Sequence, residues 1–254
     1  MSTVLSIANQ KGGVGKTTTA VNLSASLTSI NKRVLLIDMD PQGNATMGCG
    51  IDKYSLTNSI CEVLLDESNV NESITQSEGV GIDLIPSNTD LVAAEVALLK
   101  STRSEFKLKD SIASIRQNYE YIIIDCPPSL NMLTINAFTA SNGIIIPMQC
   151  EYYALEGLSA LIQTIEKIKE TTNPDLEITG LVRTMYDTRN NLSHEVSSQL
   201  LQHFSNKVFN TIIPRNVKLA EAPSFGQAVI NYARTSKGSI SYTSLASEVL
   251  SKTQ

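Results

Sequence analysis

The residues with the clearest chemistry lie at 11–18, Lys-Gly-Gly-Val-Gly-Lys-Thr-Thr. Gly12, Gly13 and Gly15, with Val14 between them, let a backbone turn tightly and aim successive N–H groups at phosphate oxygens, while Lys16 can neutralise β- and γ-phosphates. The Thr17 hydroxyl suits Mg²⁺ and that of Thr18 suits the α-phosphate. The chemistry this implies is phosphoryl transfer from ATP to water, with ADP as product. Such a loop needs one lysine, yet Lys11 is a second, and Gln10 stands where the standard pattern has glycine. Lys11 is either a solvated lysine at the loop edge or a cation that reaches a nucleotide on another copy of the chain. Two acids fit the same chemistry. Asp125 ends the apolar run Ile-Ile-Ile-Asp and points toward the crevice where α/β sheets bind ligands, so it reads as a carboxylate that holds Mg²⁺ through water. Asp40 lies two residues beyond Asp38, on the same side of an extended chain. Asp38 reads as structural, and Asp40 is either Asp-Pro turn chemistry or a further candidate for Mg²⁺ through water. Pro127, Pro128 and Ser129 follow Asp125 and are placed to sense a γ-phosphate.

These residues need a scaffold, and the sequence supplies one. Continuous apolar runs at 3–8, 33–38, 81–86, 119–125, 143–148, 178–185 and 208–214 predict strands buried on both faces of a parallel sheet. Helical stretches are expected at 17–30, 88–100, 106–117, 154–171 and 192–204, with Asn88 capping the second and Asn173-Pro174 ending the fourth. The expected fold class is α/β: a doubly wound, mostly parallel sheet flanked by helices, a P-loop NTPase with a deviant Walker A motif. The first strand runs into the glycine loop and the loop into a helix near Thr17, the context that a phosphate loop requires.

With 254 residues, 42% hydrophobic and 18% charged, and no linker or repeat, the chain reads as a single domain, 1–254. No apolar run is long enough to span a bilayer and no export signal is evident, so a cytoplasmic protein with no membrane partner is expected. Cys49, Cys61, Cys126 and Cys150 form no C-x-x-C pair, and neither they nor His194 and His203 suggest a metal centre. The net charge of −5 hides an asymmetry: residues 1–180 carry 12 Lys and Arg against 21 Asp and Glu, whereas 181–254 carry 8 against 4.

Five stretches together, NQKGGVGKTTT at 9–19, LLIDMDPQGNAT at 35–46, IIIDCPPSLNMLTINA at 122–137, PMQCEYYALEGL at 147–158 and IPRNVKLAEAPSFG at 213–226, resemble the ParA/Soj family of chromosome- and plasmid-partitioning ATPases. The likeness covers essentially the whole chain and is to the short, chromosomal type, without an N-terminal helix-turn-helix domain. It implies a homodimer that sandwiches two ATP molecules, with Lys11 touching the partner's phosphates and Asp40 positioning the attacking water. It places adenine at Pro214 and Asn216, although Asn216 could equally cap the helix that follows. It further implies that the ATP-bound dimer binds double-stranded DNA without sequence preference through Arg189 and Lys218, and that a ParB-type partner and DNA stimulate a weak ATPase on the nucleoid. On the residues alone, Arg189 and Lys218 could also be ordinary solvated charges. Lys218 stands where family members often carry Arg, which removes a bidentate fork. A MinD-like ATPase would end in a basic amphipathic helix, which SYTSLASEVLSKTQ does not resemble, and an electron carrier would need cluster cysteines. A nucleotide-switched regulator that does not act through DNA remains an alternative.

Overall fold

The computed structural model describes residues 2–253. In chain order its elements are β1 (Thr3–Ile7), α1 (Lys16–Ser29), β2 (Val34–Asp38), α2 (Asn44–Gly48), α3 (Ile60–Leu64), β3 (Thr75–Ser77), β4 (Ile82–Ile85), α4 (Leu91–Leu98), α5 (Lys107–Ile112), β5 (Tyr121–Asp125) and α6 (Met132–Ala140). There follow β6 (Gly143–Gln149), α7 (Ala154–Thr171), β7 (Glu177–Tyr186), α8 (Asn191–Phe204), β8 (Val208–Pro214), α9 (Val217–Glu221), α10 (Val229–Tyr232) and α11 (Lys237–Thr253). All seven expected strands form, and they join one eight-stranded sheet in the order β3-β4-β2-β5-β1-β6-β7-β8. Every pairing is parallel except β3 against β4.

Side chains along each strand divide between two cores, which is why the runs are apolar at every position. On β5, Ile122 and Ile124 join Phe138, Leu161 and Ile165 on one face, while Ile123 joins Leu23, Tyr242 and Leu245 on the other. The second face is covered by α1 and by α11, whose buried Tyr242 shares a 3.1 Å hydroxyl contact with Thr19.

Three expectations about helices are corrected. The 88–100 stretch narrows to Leu91–Leu98, and Asn88 does not cap it: its side-chain oxygen accepts from the Asp90 N–H at 3.0 Å and closes a turn ahead of the helix. The 106–117 stretch shortens to α5, followed by a 3₁₀ turn at Arg116–Asn118. Helices α6 and α11 lie outside the expected stretches; α6 is buried on nearly every side, so its sequence has no amphipathic period to read.

Candidate nucleotide site and its surroundings

Strand β1 lies between β5 and β6, and the loop leaving it is held from both directions. Asn9 donates to the Pro147 carbonyl at 2.8 Å and accepts from the Lys11 N–H at 3.0 Å; Thr184, on β7, donates to the Val14 carbonyl at 2.7 Å. The loop turns through left-handed backbone at Gly13 and Gly15, with φ of 74° and 88°. A Cβ at Gly12 would meet no protein atom within 4 Å, so the space over that glycine is open for a ligand. Gly15 heads α1 without a side-chain cap, which leaves the first N–H groups of a 14-residue helix facing the loop.

Lys16, buried, donates to the Lys11 carbonyl at 3.1 Å. Burial pulls its pKa down, and the charges of Asp125, Cys126 and Asp40 pull it back up. Asp125 is fully buried at the end of β5, with the Thr17 hydroxyl beside it but no well-aligned hydrogen bond to either carboxylate oxygen. Burial, followed by the charge of Asp38, pushes its pKa well up; the Thr17 hydroxyl and the Lys16 charge oppose that. A buried carboxyl in this condition either keeps its proton or takes a cation beside it, and a cation there favours the charged form. Asp125 and Thr17 therefore fit Mg²⁺, which takes few protein ligands and keeps waters and phosphate oxygens for the rest.

Asp38 is spent inside the fold: Oδ1 accepts from the Asp40 N–H at 3.1 Å, and Oδ2 from the N–H and hydroxyl of Thr46 at 2.9 and 2.8 Å. Burial raises its pKa to about 6, against the pull of those hydrogen bonds. Asp40 is thereby fixed just beyond β2; its Oδ1 accepts from the Gln42 N–H at 3.0 Å and its carbonyl from Ser87 at 2.9 Å. Across the crevice, Pro127, Pro128 and Ser129 lead into α6, and the Ser129 carbonyl accepts from Thr134 at 2.6 Å.

Lys11 does not fold back onto its own loop. Its ammonium pairs with Glu151, just ahead of α7, and both side chains remain about half exposed at 42% and 45%. A cavity of about 670 Å³ opens beside Thr17 and Thr18, lined by Asn22, Asn44, Phe225 and Gln227 among others. Pro214 and Asn216 do not line it; Asn216 caps α9 by accepting from the Lys218 N–H at 2.9 Å. Arg189 and Lys218 lie apart from the loop, and each is held by an acid. Asp187 takes both Nε and Nη2 of Arg189, at 3.0 and 2.9 Å, and Glu221 takes Lys218 at 2.8 Å. Hydrogen bonds from Arg189 hold the Asp187 carboxyl down at about 2. Glu151, Asp187, Glu221 and Thr184 carry no motif that would single them out; only the fold joins Lys11 to a residue 140 positions away. One cation of the basic C-terminal third, Arg183, is buried against Ser197 and the Phe209 carbonyl and contributes nothing to the surface.

A family profile described as an AAA domain matches residues 2–178. The chromosome partitioning protein ParA of Caulobacter vibrioides is 49% identical over 251 residues, covering 98% of this chain and 94% of its own. The sporulation initiation inhibitor protein Soj of Bacillus subtilis is 49% identical over 249 residues, covering 98% of both. The chain belongs to the ParA/Soj family of chromosome-partitioning ATPases. Among solved structures, a Mycobacterium smegmatis protein titled cobyrinic acid a,c-diamide synthase, with bound ATP analogue and magnesium, superposes with a TM-score of 0.87 at 37% identity, over 98% of this chain and 95% of that one. The Pyrococcus furiosus cell division ATPase MinD gives 0.81 at 25% identity, over 99% of each chain. The doubly wound P-loop fold of the ParA/Soj family is thus present throughout, while the titles of its neighbours name different roles, as expected where one scaffold carries many functions.

Proposed function

We propose that this chain is an ATP-dependent dimerising ATPase that binds DNA without sequence preference in its ATP-bound form. With a ParB-type partner it acts in chromosome or plasmid segregation. The observation that carries the nucleotide chemistry is the juxtaposition of an uncapped helix N-terminus, a buried lysine and a buried Asp125 without a well-aligned hydrogen bond around one open loop. The N–H groups of residues 12–18 and the Lys16 ammonium bind the phosphates of ATP. Thr17 and Asp125, the latter through water, would hold Mg²⁺, with Asp40 a further candidate. Bound there, the cation neutralises charge on the β- and γ-phosphates. Asp40, fixed by Asp38, orients the attacking water, and the Pro127–Ser129 turn senses the γ-phosphate. Pro214 and Asn216 are the proposed adenine contacts, although neither lines the cavity beside Thr17 and the Asn216 side chain caps α9.

Lys11 acts on the nucleotide of a second copy. To reach it, the ammonium exchanges Glu151 for phosphoryl oxygens across the interface, where positive charge lowers the barrier in the manner of an arginine finger. Two exposed tyrosines directly after Glu151, Tyr152 and Tyr153, supply apolar area to the same face. Arg189 and Lys218 contact phosphates of duplex DNA; pairing two subunits doubles the cations and so ties affinity to ATP. Hydrolysis, weak alone and stimulated by partner and DNA, returns the chain to monomers. The identity to chromosome-partitioning proteins supports a cytoplasmic, nucleoid-associated role over a membrane-cycling one.

The test is DNA binding at fixed salt with ATP, with ADP and without nucleotide, for wild type and Lys11→Ala, beside sedimentation to score dimers. Binding by wild type only with ATP, and loss of both binding and dimers in the variant, is the expected result. DNA binding indifferent to nucleotide and to Lys11 would overturn the DNA switch and favour a nucleotide-gated regulator of another protein.

A further inference from the structure

The parallel pairing of β7 with β8 sets Tyr186 opposite Pro214, so the loop after β7 and the loop after β8 emerge side by side. Five charges follow: Asp187 and Arg189 on the first loop, Arg215 on the second, and Lys218 and Glu221 on helix α9 directly after it. Each acid holds one cation in direct contact. Asp187 grips the Arg189 guanidinium with both oxygens, and the Arg189 side chain is otherwise 88% exposed. Glu221 holds Lys218 one turn along α9, and a 3.1 Å hydrogen bond from the Tyr232 hydroxyl fixes that carboxylate in place, with the Lys218 ammonium 5.5 Å from the centre of the Tyr232 ring. Arg215 is exposed and, among the described residues, makes no ion pair. It is near enough for its charge to act on Asp187.

A phosphate that approaches Arg189 or Lys218 therefore shares the cation with a carboxylate already seated there, and that acid stays beside the duplex and repels it. We propose that Asp187 and Glu221 are built-in competitors of the DNA phosphates, and that Arg215, the cation between them without a carboxylate of its own, makes a third phosphate contact. The inference rests on the DNA-binding reading above. It gives that reading a physical reason for dependence on dimerisation: one subunit presents a patch of three cations offset by two acids, too little for stable binding, and two subunits present it twice. The partner it fits is the regularly spaced phosphate backbone of duplex DNA, read without base contacts.

The experiment is fluorescence anisotropy of a nonspecific duplex with the full chain and ATP, titrated with salt, for wild type, Asp187→Asn, Glu221→Gln, Arg215→Ala, Arg215→Lys and the double variant Arg189→Ala, Lys218→Ala. Asparagine and glutamine keep the acceptors for the Arg189 N–H and the Tyr232 hydroxyl, and thermal melting checks that each variant folds. Each acid variant should bind roughly three-fold more tightly, the scale of an exposed ion pair. Arg215→Ala should weaken binding and make the salt dependence shallower by about two counterions per dimer, with Arg215→Lys restoring most of the slope. Acid variants that bind as wild type does, or an Arg215→Ala salt slope equal to wild type, would overturn the proposal while leaving the DNA reading intact. If instead the double variant binds as wild type does, or wild type binds anionic lipid vesicles rather than duplex, the DNA reading itself fails and this inference with it.

Discussion

Asp125 and Lys11 are each explained by what they lack locally. Asp125 has both oxygens buried without a well-aligned donor, an arrangement that calls for a proton, a water or a bound cation to complete it. Lys11 has no phosphate of its own loop to serve and rests instead on Glu151. Asp40 differs from both, since its backbone is fixed by Asp38 and Ser87 while its carboxylate borders the open crevice. Asp40→Ala should therefore keep ATP-dependent dimers while turnover falls on the order of 100-fold or more, as for loss of a positioned polar group in the transition state; phosphate release measured beside light scattering checks this, and turnover at the wild-type rate would remove Asp40 from the mechanism. The loop residues and both acids were legible in the sequence because their chemistry is written in short spacings. Glu151, Asp187 and Glu221 were not, because a lone surface acid acquires meaning only from the cation that the fold brings to it.

Among the elements, α6 ties the Pro127–Ser129 turn to the core. Asn131, two residues after Ser129, caps it by accepting from the Thr134 N–H at 3.2 Å, and Leu133, Ala137 and Phe138 anchor its far side. Asn131→Ala should cost about 1 kcal/mol in urea unfolding, the usual loss for an N-cap, and should loosen the turn that leads from Asp125; an unchanged unfolding midpoint would show the cap to be dispensable. The strands were read within a residue or two because burial on both faces leaves an unbroken apolar run. Helix α6 lacked any such signal, being buried nearly all round, and α11 hid in a Ser- and Thr-rich stretch whose helicity comes from packing on α1 and β8 rather than from propensity. The antiparallel edge strand β3, three residues of Thr-Gln-Ser, has neither length nor pattern to announce it.

At the scale of the molecule, the two cores enclose every cysteine. All four are free and buried; burial lifts the Cys61 and Cys150 thiols to about 11 and those of Cys49 and Cys126 higher still. A raised pKa removes the reactive thiolate, so at pH 8 the native protein should react with a thiol reagent far more slowly than the urea-unfolded chain, which should release four equivalents. Rapid labelling of any one cysteine in the native state would reveal a local opening of the sheet near it. The place of β1 in the sheet has a consequence for how the molecule comes into being. That strand pairs only with β5 and β6, which begin at residues 121 and 143, so during synthesis it has no neighbour to join until the chain has grown past residue 121. At roughly 5–20 residues per second, the nascent chain carries an unseated apolar strand and its glycine loop for several seconds before β5 arrives, bringing Asp125 with it. The glycine loop is thus made well before the strand that walls it, which makes completion of the nucleotide site a report that the centre of the sheet has closed.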